Sequence, residues 1–234
     1  MSTNTLHYYD EHAAEFAAGT FAVDFSATQQ RFQKYLKPGA RLLDFGCGSG
    51  RDTRYFLAQG FKVDALDGSA ELCRIATQNT GIEVQQIRFE DFQAVDVYDG
   101  IWACASLLHL DIATLKKVLQ NICRALKAQG IFYASFKYGV FLFYCNGRYF
   151  TDFDEHSIQQ LINEIPTVVL KEQWISNDIR ADHAEEKWLN MILEKKQLGE
   201  QIISGYRLNE GNCGIEEYHD YELWRSFNNL LEHG

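Results

Sequence analysis

An apolar run that ends in three alternate glycines constrains the fold of this 234-residue chain more than any other feature. Residues 42–45 read Leu-Leu-Asp-Phe, which predicts a buried parallel strand, and Gly46, Gly48 and Gly50 predict a tight turn after it. A Cβ atom in that turn would hold the backbone away from a ligand lying across it. The residues after Gly50 predict a helix, and the N–H groups at its start favour a carboxylate or phosphate. The pattern predicts a strand–loop–helix site for a nucleoside-like ligand with an anionic end.

Further strand-like runs follow the glycine turn, and two of them lead into acids. Residues 61–66 predict a second strand that ends at Asp67, about 20 residues after the first glycine, where a carboxylate can accept hydrogen bonds from both ribose hydroxyls. Residues 82–88 predict a third strand leading into Glu90 and Asp91, and residues 98–109 form an apolar run that ends at His109. Because strands and helices alternate, we expect a parallel sheet with covered faces.

The order of these segments resembles that of class I S-adenosylmethionine-dependent methyltransferases. Asp44 stands two residues before Gly46, and the glycine spacing matches the family's first motif; a dinucleotide fingerprint would place its third glycine at Arg51. The resemblance covers roughly residues 5–196. It implies a Rossmann-like α/β fold, with a seven-stranded, mostly parallel sheet, helices on both faces and an antiparallel last strand. It also implies S-adenosyl-L-methionine as the cofactor.

The resemblance implies that the cofactor is held at the ends of the predicted strands. In the family, an acid after the third strand meets the adenine amino group. Asp91 is preferred over Glu90 because Phe92 beside it would pack on the ring, and an ordinary solvated loop is the alternative for both acids. Arg51 is predicted to contact the methionine carboxylate, with a solvated helix start as the alternative. Asp67 has the alternative of capping the next helix. The predicted cofactor contacts are Asp44, Gly46, Cys47, Gly48, Gly50, Arg51, Asp67, Gly68, Glu90, Asp91, Phe92, Ala105 and Tyr9.

Histidine and tyrosine residues are the candidates on the substrate side. His109 is predicted to be a general base at the mouth of the cofactor pocket, with a structural role as the alternative. Tyr8 and Tyr9 lie in an aromatic N-terminal segment that either closes over the cofactor as a lid or belongs to a permanent core.

A group of cations and tyrosines follows the fifth predicted strand. Such a group suits an anionic or aromatic substrate, and a solvated loop is the alternative. The predicted substrate contacts are Tyr8, Lys137, Tyr138 and Arg148.

The residues after the fourth strand predict the class of methyl acceptor. The family's Asn-Pro-Pro-Tyr or Asp-Pro-Pro-Tyr signature for amino groups of bases and glutamines is missing, and residues 105–109 read Ala-Ser-Leu-Leu-His instead. This is typical of the small-molecule branch. With S-adenosyl-L-methionine as the methyl donor, the expected reaction is methyl transfer to a small-molecule acceptor by in-line displacement. An RNA or protein methyltransferase is the runner-up. A non-catalytic cofactor-binding module that acts through a partner is the alternative from another class, because fold alone does not settle function.

Charge and composition argue against several other classes of protein. The net charge is −10 and the lysines and arginines are dispersed, which argues against nucleic acid and anionic membranes as partners. The 6 cysteines form no Cys-x-x-Cys pair, which predicts a reduced cytoplasm without a metal site or disulfides. No leader or apolar run long enough to span a bilayer is visible in the sequence, and 46% hydrophobic residues suffice for a sizeable core.

Three segments are predicted along the chain. Residues 1–40 form an N-terminal helical cap or lid, residues 41–196 the methyltransferase core, and residues 197–234 an extension of unknown role with a helix over 216–231. Within the core we expect a helix over 111–127 that ends at Gln129-Gly130, a loop over 141–150, and strands near 167–176 and 186–194.

Overall fold

A seven-stranded sheet forms the centre of the computed structural model, which describes residues 1–180, 183 and 185–197. The predicted extension over 197–234, with its helix over 216–231, lies outside the described residues apart from residue 197. In the described residues the strands are β1 (Arg41–Phe45), β2 (Lys62–Asp67), β3 (Val84–Gln86), β4 (Tyr98–Ala103), β5 (Leu126–Lys137), β6 (Leu142–Cys145), β7 (Arg148–Thr151), β8 (Val168–Asn177) and β9 (Lys187–Lys195).

The strand order confirms the predicted fold class. The sheet runs β3-β2-β1-β4-β5-β9-β8, and β6 and β7 pair separately as a hairpin. Strands β1 to β5 are parallel, while β9 is antiparallel to both β5 and β8. The last strand is thus the antiparallel one, as expected. The carboxyl ends of the parallel strands meet along one edge, where ligands bind in open α/β sheets.

Helices cover both faces of this sheet. They are α1 (Thr3–Glu11), α2 (Ala13–Thr20), α3 (Ser26–Gln33), α4 (Arg51–Ala58), α5 (Ala70–Thr80), α6 (Ile112–Ala125) and α7 (Glu155–Asn163). Because successive strand residues point to opposite faces, Leu42 belongs to the core cluster that includes Phe32 and Phe56 of α3 and α4, whereas Leu43 belongs to the cluster that includes residues of α6 and α7. No helix of the described residues is long and apolar enough to cross a membrane.

Two local expectations are wrong. Helix α6 ends at Ala125 and β5 begins at the next residue, so Gln129 and Gly130 lie inside a strand and do not form a helix end. Between Tyr98 and Gly100 the register of β4 against β5 shifts, and Gln129 has a positive φ of 62°. The glycine therefore belongs to a bulge.

The stretch over 141–150 is also different from the predicted loop. Its aromatic and aliphatic residues form the β6–β7 hairpin, which turns at Asn146 and Gly147, both with positive φ. Alternating large residues such as Phe143 and Phe150 stack across the two strands, at 5.2 Å between ring centroids. The hairpin places Arg148 and Phe150 beside the carboxyl ends of the sheet strands.

Candidate functional site

A cleft of about 870 Å³ lies at the carboxyl ends of the parallel strands. The loops after β1, β2, β4 and β5 form its floor, and α1, α2 and the β6–β7 hairpin line its other sides. Of the residues predicted for the site, those that line the cleft are Gly46, Cys47, Gly48, Arg51, Asp67, Ala105, His109, Tyr8, Tyr9, Lys137 and Arg148. The predicted residues that do not line it are Asp44, Gly50, Gly68, Glu90, Asp91, Phe92 and Tyr138.

The glycine loop after β1 requires its glycines. Gly46, Gly48 and Gly50 have φ angles of 85°, 55° and 81°, which side-chain-bearing residues rarely adopt. A Cβ atom on Gly46 would also lie 2.4 Å from Cβ of Ser106. Gly50 is the N-cap of α4, and Arg51, the first residue of this helix, lines the cleft. The backbone N–H groups of Gly46, Cys47, Gly48 and Gly50 are bonded within the protein, so the start of α4 is the part of this unit that suits an anionic group.

Asp67 fastens the glycine loop to the start of α5. Its carboxylate accepts hydrogen bonds from the backbone N–H groups of Gly48 and Ser69, both at 2.9 Å. Burial raises the pKa of Asp67, while the two N–H groups oppose that shift. Ser69 itself caps α5 by accepting from Leu72. Asp67 thus lies at the helix start and lines the cleft at the same time.

Arg51 is held by a buried carboxylate that the sequence did not reveal as part of the site. Its guanidinium donates Nε and Nη2 to the two oxygens of Asp52, each at 2.9 Å. Asp52 also accepts from Gln29 at 2.6 Å and from the indole of Trp102 at 2.9 Å. Burial alone would raise the pKa of Asp52, but Arg51 and these donors hold it below its usual value. The adjacent Arg51 and Asp52 at a helix start were visible in the sequence. Nothing in the sequence near Gln29 indicated that its side chain would reach Asp52.

Asp44 lies beneath the cleft. Its side chain is 2% exposed and accepts a hydrogen bond from Oγ1 of Thr53 at 2.6 Å. Burial, and then the neighbouring charge of Asp52, raise the pKa of Asp44. In this arrangement Asp44 ties the end of β1 to the first turn of α4, and so supports the loop that a ligand would touch.

The acids after β3 lie differently from the prediction. A short 3-10 turn, Phe89–Asp91, leaves Asp91 exposed and directs Glu90 toward the terminal amino group of Met1, with which it forms an ion pair. Phe92 is 4% exposed and packs against Phe45 in the core, so it cannot stack on a base in this arrangement. Phe89 lines the cleft in its place. The 3-10 turn sets the directions of the Glu90, Asp91 and Phe92 side chains, which the sequence pattern alone does not reveal.

His109 and Tyr9 form a hydrogen-bonded pair inside the cleft. His109 Nε2 lies 2.8 Å from the Tyr9 hydroxyl, and Nδ1 lies 2.7 Å from the carbonyl oxygen of Tyr149. Because the carbonyl can only accept, Nδ1 carries the proton and Nε2 accepts from the tyrosine. Burial lowers the pKa of His109 to about 4 and raises the pKa of Tyr9. The neutral imidazole offers one acceptor nitrogen to the interior.

This low pKa predicts a pH-dependent stability. Between pH 6.5, the ordinary value for imidazole, and about pH 4, the unfolded chain takes up a proton at His109 that the folded protein refuses. The contribution of neutral His109 to the free energy of unfolding is therefore complete above pH 6.5. It is lost as the pH falls toward 4, by up to about 3 kcal/mol. Denaturant unfolding at several pH values should show a smaller loss for His109→Gln than for the wild type. Equal losses would contradict the prediction.

Of the predicted substrate residues after β4, Lys137 and Arg148 line the cleft and Tyr138 does not. Lys137 lines the cleft and pairs with Glu186 at 2.7 Å. Arg148 lines it too, with its guanidinium 4.4 Å from the ring centroid of Tyr8. Tyr138 is 38% exposed and donates to Glu155 at 2.9 Å, away from the cavity. Sequence reasoning did not find the β8–β9 end of the cleft, where residues 176–180 and Asn190 also contribute.

Comparison with known proteins agrees with this geometry. Residues 42–130, which span β1 to the start of β5, match a family model described as a methyltransferase domain. Among curated proteins, the chain is 32% identical over 107 residues to an S-adenosyl-L-methionine-dependent Diels-Alderase of Talaromyces variabilis, covering 42% of this chain and 36% of that protein. It is 29% identical over 103 residues to an uncharacterized methyltransferase of Synechocystis sp., covering 42% of this chain and 47% of that protein. The matches therefore span about a third and about half of these relatives.

A solved structure shares the fold over most of its length. The 1,6-didemethyltoxoflavin-N1-methyltransferase of Burkholderia thailandensis, solved with 1,6-didemethyltoxoflavin and S-adenosylhomocysteine, has a TM-score of 0.68 at 22% identity. The match covers 82% of this chain and 86% of that one. The fold is that of a Rossmann-like domain, with the cleft at the carboxyl ends of its parallel strands. Over residues 42–130 the chain is similar to a methyltransferase domain.

Proposed function

We propose that this chain transfers a methyl group from S-adenosyl-L-methionine to a small-molecule acceptor. The observation that carries the proposal is the enclosure of the cleft. Tyr8 and Tyr9 of α1 line it, and so do Arg148 and Phe150 of the hairpin, opposite the glycine loop. A cavity of about 870 Å³ is within the range of small-molecule sites and has room for a cofactor beside a small acceptor. The small ligand in the Burkholderia neighbour's structure supports the same class of acceptor.

The residues present fit the cofactor. The glycine loop leaves a cradle that side chains would fill, and Asp67 lines the cavity from the end of β2. On this basis Gly46, Gly48 and Asp67 would hold the nucleoside. Glu90 pairs with the terminal amino group of Met1 and Asp91 is exposed, and neither lines the cleft, so no acid after β3 is assigned to the base. Arg51 reaches the same end of the cavity while paired with Asp52.

The chemistry is mainly a matter of positioning. When bound, S-adenosyl-L-methionine supplies an electrophilic methyl group, so the protein must align a nucleophile with it and exclude water. Orientation of this kind is worth roughly 7–11 kcal/mol. Aromatic rings of Tyr8, Tyr9 and Phe16 line the cleft, and their faces favour a cation. Nε2 of His109 can take the acceptor's proton once the Tyr9 hydroxyl turns away from it, which gives His109 its proposed role as general base.

Asp67 allows a direct test of the cofactor site. Asp67→Asn should weaken binding of S-adenosylhomocysteine by about 1.5–3 kcal/mol, because a hydrogen bond to a charged acceptor is lost. The amide keeps one oxygen for the N–H of Gly48 or Ser69, so the fold should persist. Calorimetric titration measures the change. Asp91→Asn, an exposed neighbour outside the cleft, should leave the affinity unchanged. A folded Asp67→Asn protein with wild-type affinity would remove Asp67 from the site.

The N-terminal segment is proposed to be a lid that opens for the ligands. Helix α1 contacts the loops at the carboxyl ends of the strands through polar side chains, including Asp10 to Ser69 at 2.6 Å and Tyr9 to His109 at 2.8 Å. Leu6 lies over Gly68, where a Cβ atom would come within 2.6 Å of it. The lid therefore rests on the loops that would hold the cofactor.

Hydrogen exchange distinguishes a lid from a permanent core. S-adenosylhomocysteine should slow amide exchange in residues 3–11 more than in β4, because the ligand would add contacts to a segment that opens in its absence. Asp10→Ala, which removes the bond to Ser69, should enlarge the difference between free and bound protein. Equal protection of residues 3–11 with and without ligand would assign α1 to a permanent core.

A labelling experiment tests the proposed function as a whole. Purified protein is mixed with S-adenosyl-L-methionine labelled in the methyl group and with a cell extract split by size. Label in the small-molecule fraction is expected. Label only in RNA or protein would favour the macromolecular alternative, and cofactor binding without any transfer would favour a non-catalytic module.

A second candidate follows from the Talaromyces relative. That protein is an S-adenosyl-L-methionine-dependent Diels-Alderase, and its 32% identity to this chain covers part of the cofactor domain. A cyclisation would consume no methyl group, so S-adenosylhomocysteine should then support turnover as well as S-adenosyl-L-methionine. Methyl transfer requires the methylated cofactor, and this comparison separates the two activities.

A further inference from the structure

Charge pairing inside the cleft singles out one cation. Among the described residues, the lysines and arginines that line the cleft are Arg51, Lys137, Arg148 and Arg180. Arg51 pairs with Asp52 at 2.9 Å, Lys137 with Glu186 at 2.7 Å, and Arg180 with Asp178 at 2.6 Å. Arg148 has no ion-pair partner within the described part of the chain, and its Nε is buried without a hydrogen bond.

The surroundings of Arg148 are aromatic. Its guanidinium carbon lies 4.4 Å from the ring centroid of Tyr8 and 5.1 Å from that of Phe150. Nε is buried beside these rings, which compensate only weakly for lost hydration, so leaving it without a partner is costly. This in-plane N–H donor remains available to a ligand. The planar fork of a guanidinium matches a carboxylate, which can accept two parallel hydrogen bonds.

Arg148 also lies close to the proposed reaction centre. Its charge contributes to lowering the pKa of His109, and its charge and hydrogen bond oppose the raised pKa of Tyr9. Phe143, which is 36% exposed, stacks on Phe150 at the same end of the cleft and lines it. The cation is thus surrounded by an apolar wall and faces the Tyr9–His109 pair.

From this geometry we infer that the acceptor is a small aromatic carboxylic acid whose carboxylate pairs with Arg148 while its nucleophile faces Tyr9 and His109. The inference rests on the proposed function and names its substrate class. The carboxylate stays free in the product, because it is held by the guanidinium while another atom of the acceptor receives the methyl group.

Matched probes test this assignment without knowledge of the natural acceptor. Benzoate, 2-hydroxybenzoate and indole-3-carboxylate, each beside its carboxamide, are titrated by ligand-observed NMR into protein saturated with S-adenosylhomocysteine. The acids should bind about tenfold or more tightly than the amides, because only they form the charge-assisted pair. Phenyl phosphate serves as the tetrahedral anion, because a guanidinium fork also pairs with phosphate, and its binding relative to benzoate decides between the two kinds of anion.

Variants at Arg148 test whether this residue causes the preference for acids over amides. Arg148→Met keeps the stem and should abolish the preference for acids, while Arg148→Lys keeps the charge without the fork and should retain part of it. Arg74→Met, an exposed position on α5 outside the cleft, is the matched control and should behave as wild type. A persistent preference in Arg148→Met, no preference in the wild type, or phenyl phosphate binding as tightly as benzoate would overturn the inference.

Two readouts separate this inference from the proposed function. A loss of S-adenosylhomocysteine affinity in Arg148→Met would assign the residue to the cofactor and overturn the inference alone. In the labelling experiment, the methylated product should be retained by an anion exchanger at pH 7. A labelled neutral product would refute the carboxylate while leaving methyl transfer intact, whereas acid binding without any methyl transfer would refute the proposed function and not the Arg148 site.

Discussion

Replacement of Asp52 by alanine is expected to destabilise the domain by about 3–5 kcal/mol, the cost of breaking a buried ion pair by removing one partner. The side chains of Arg51 and Asp52 are 19% and 8% exposed, so the arginine left behind is poorly hydrated. Trp102 and Gln29 lose their acceptor in the same step. Denaturant unfolding measures the free energy.

The matched control is an ion pair at the surface. Asp64 pairs with Arg41 at 2.7 Å, but the two side chains are 36% and 49% exposed. Asp64→Ala should therefore cost less than about 1 kcal/mol. Asp52→Asn should fall between the two alanine variants, because the amide preserves a hydrogen-bond acceptor and loses the charge. If Asp52→Ala and Asp64→Ala cost the same, the buried network is not a source of stability.

Replacement of Gly46 by alanine should cost about 4 kcal/mol and abolish binding of S-adenosylhomocysteine. A non-glycine residue at positive φ costs about 1–3 kcal/mol, and overpacking typically adds about 1–3 kcal/mol. The new methyl group would lie 2.4 Å from Cβ of Ser106 and 2.9 Å from the ring of Phe89. The loop must then move away from the position in which it can approach a ligand.

Gly60→Ala separates backbone strain from crowding. Gly60 has nearly the same φ, 84° against 85°, but a Cβ atom there meets nothing within 4 Å. This variant should lose only about 1–2 kcal/mol and keep its affinity for S-adenosylhomocysteine. Thermal unfolding and calorimetric titration give both quantities. Equal effects of the two substitutions would show that crowding against Ser106 and Phe89 plays no part.

The strand–loop–helix unit and the acid after β2 were predictable because they are local. Three residues with positive φ in five positions demand glycine wherever the rest of the chain goes. An apolar run with a polar end likewise identifies a buried strand without knowledge of its neighbours. The sheet order followed from the βα alternation, together with the resemblance to a known family.

The hairpin over 142–151 was not predictable on the same grounds. Polar and apolar residues alternate only weakly along this hairpin, and β6 is exposed along its whole length. No amphipathic pattern therefore identified the strands. The bulge in β5 was not predicted, for a related reason. Gln129-Gly130 suits a helix end as well as a strand irregularity, and only the pairing with β4 distinguishes them.

The sequence by itself determined the class of fold, the position of the glycine loop and the acid that meets it, because backbone conformation and strand polarity are local properties. Only the tertiary structure decided which side chains share the cleft. Tyr9 and His109 lie 100 residues apart in the chain, and Gln29 reaches Asp52 across 23. The direction of Glu90 and Asp91, and the absence of a carboxylate beside Arg148 in the described residues, depend on turn geometry and on packing between distant elements. Neither is encoded in any short segment.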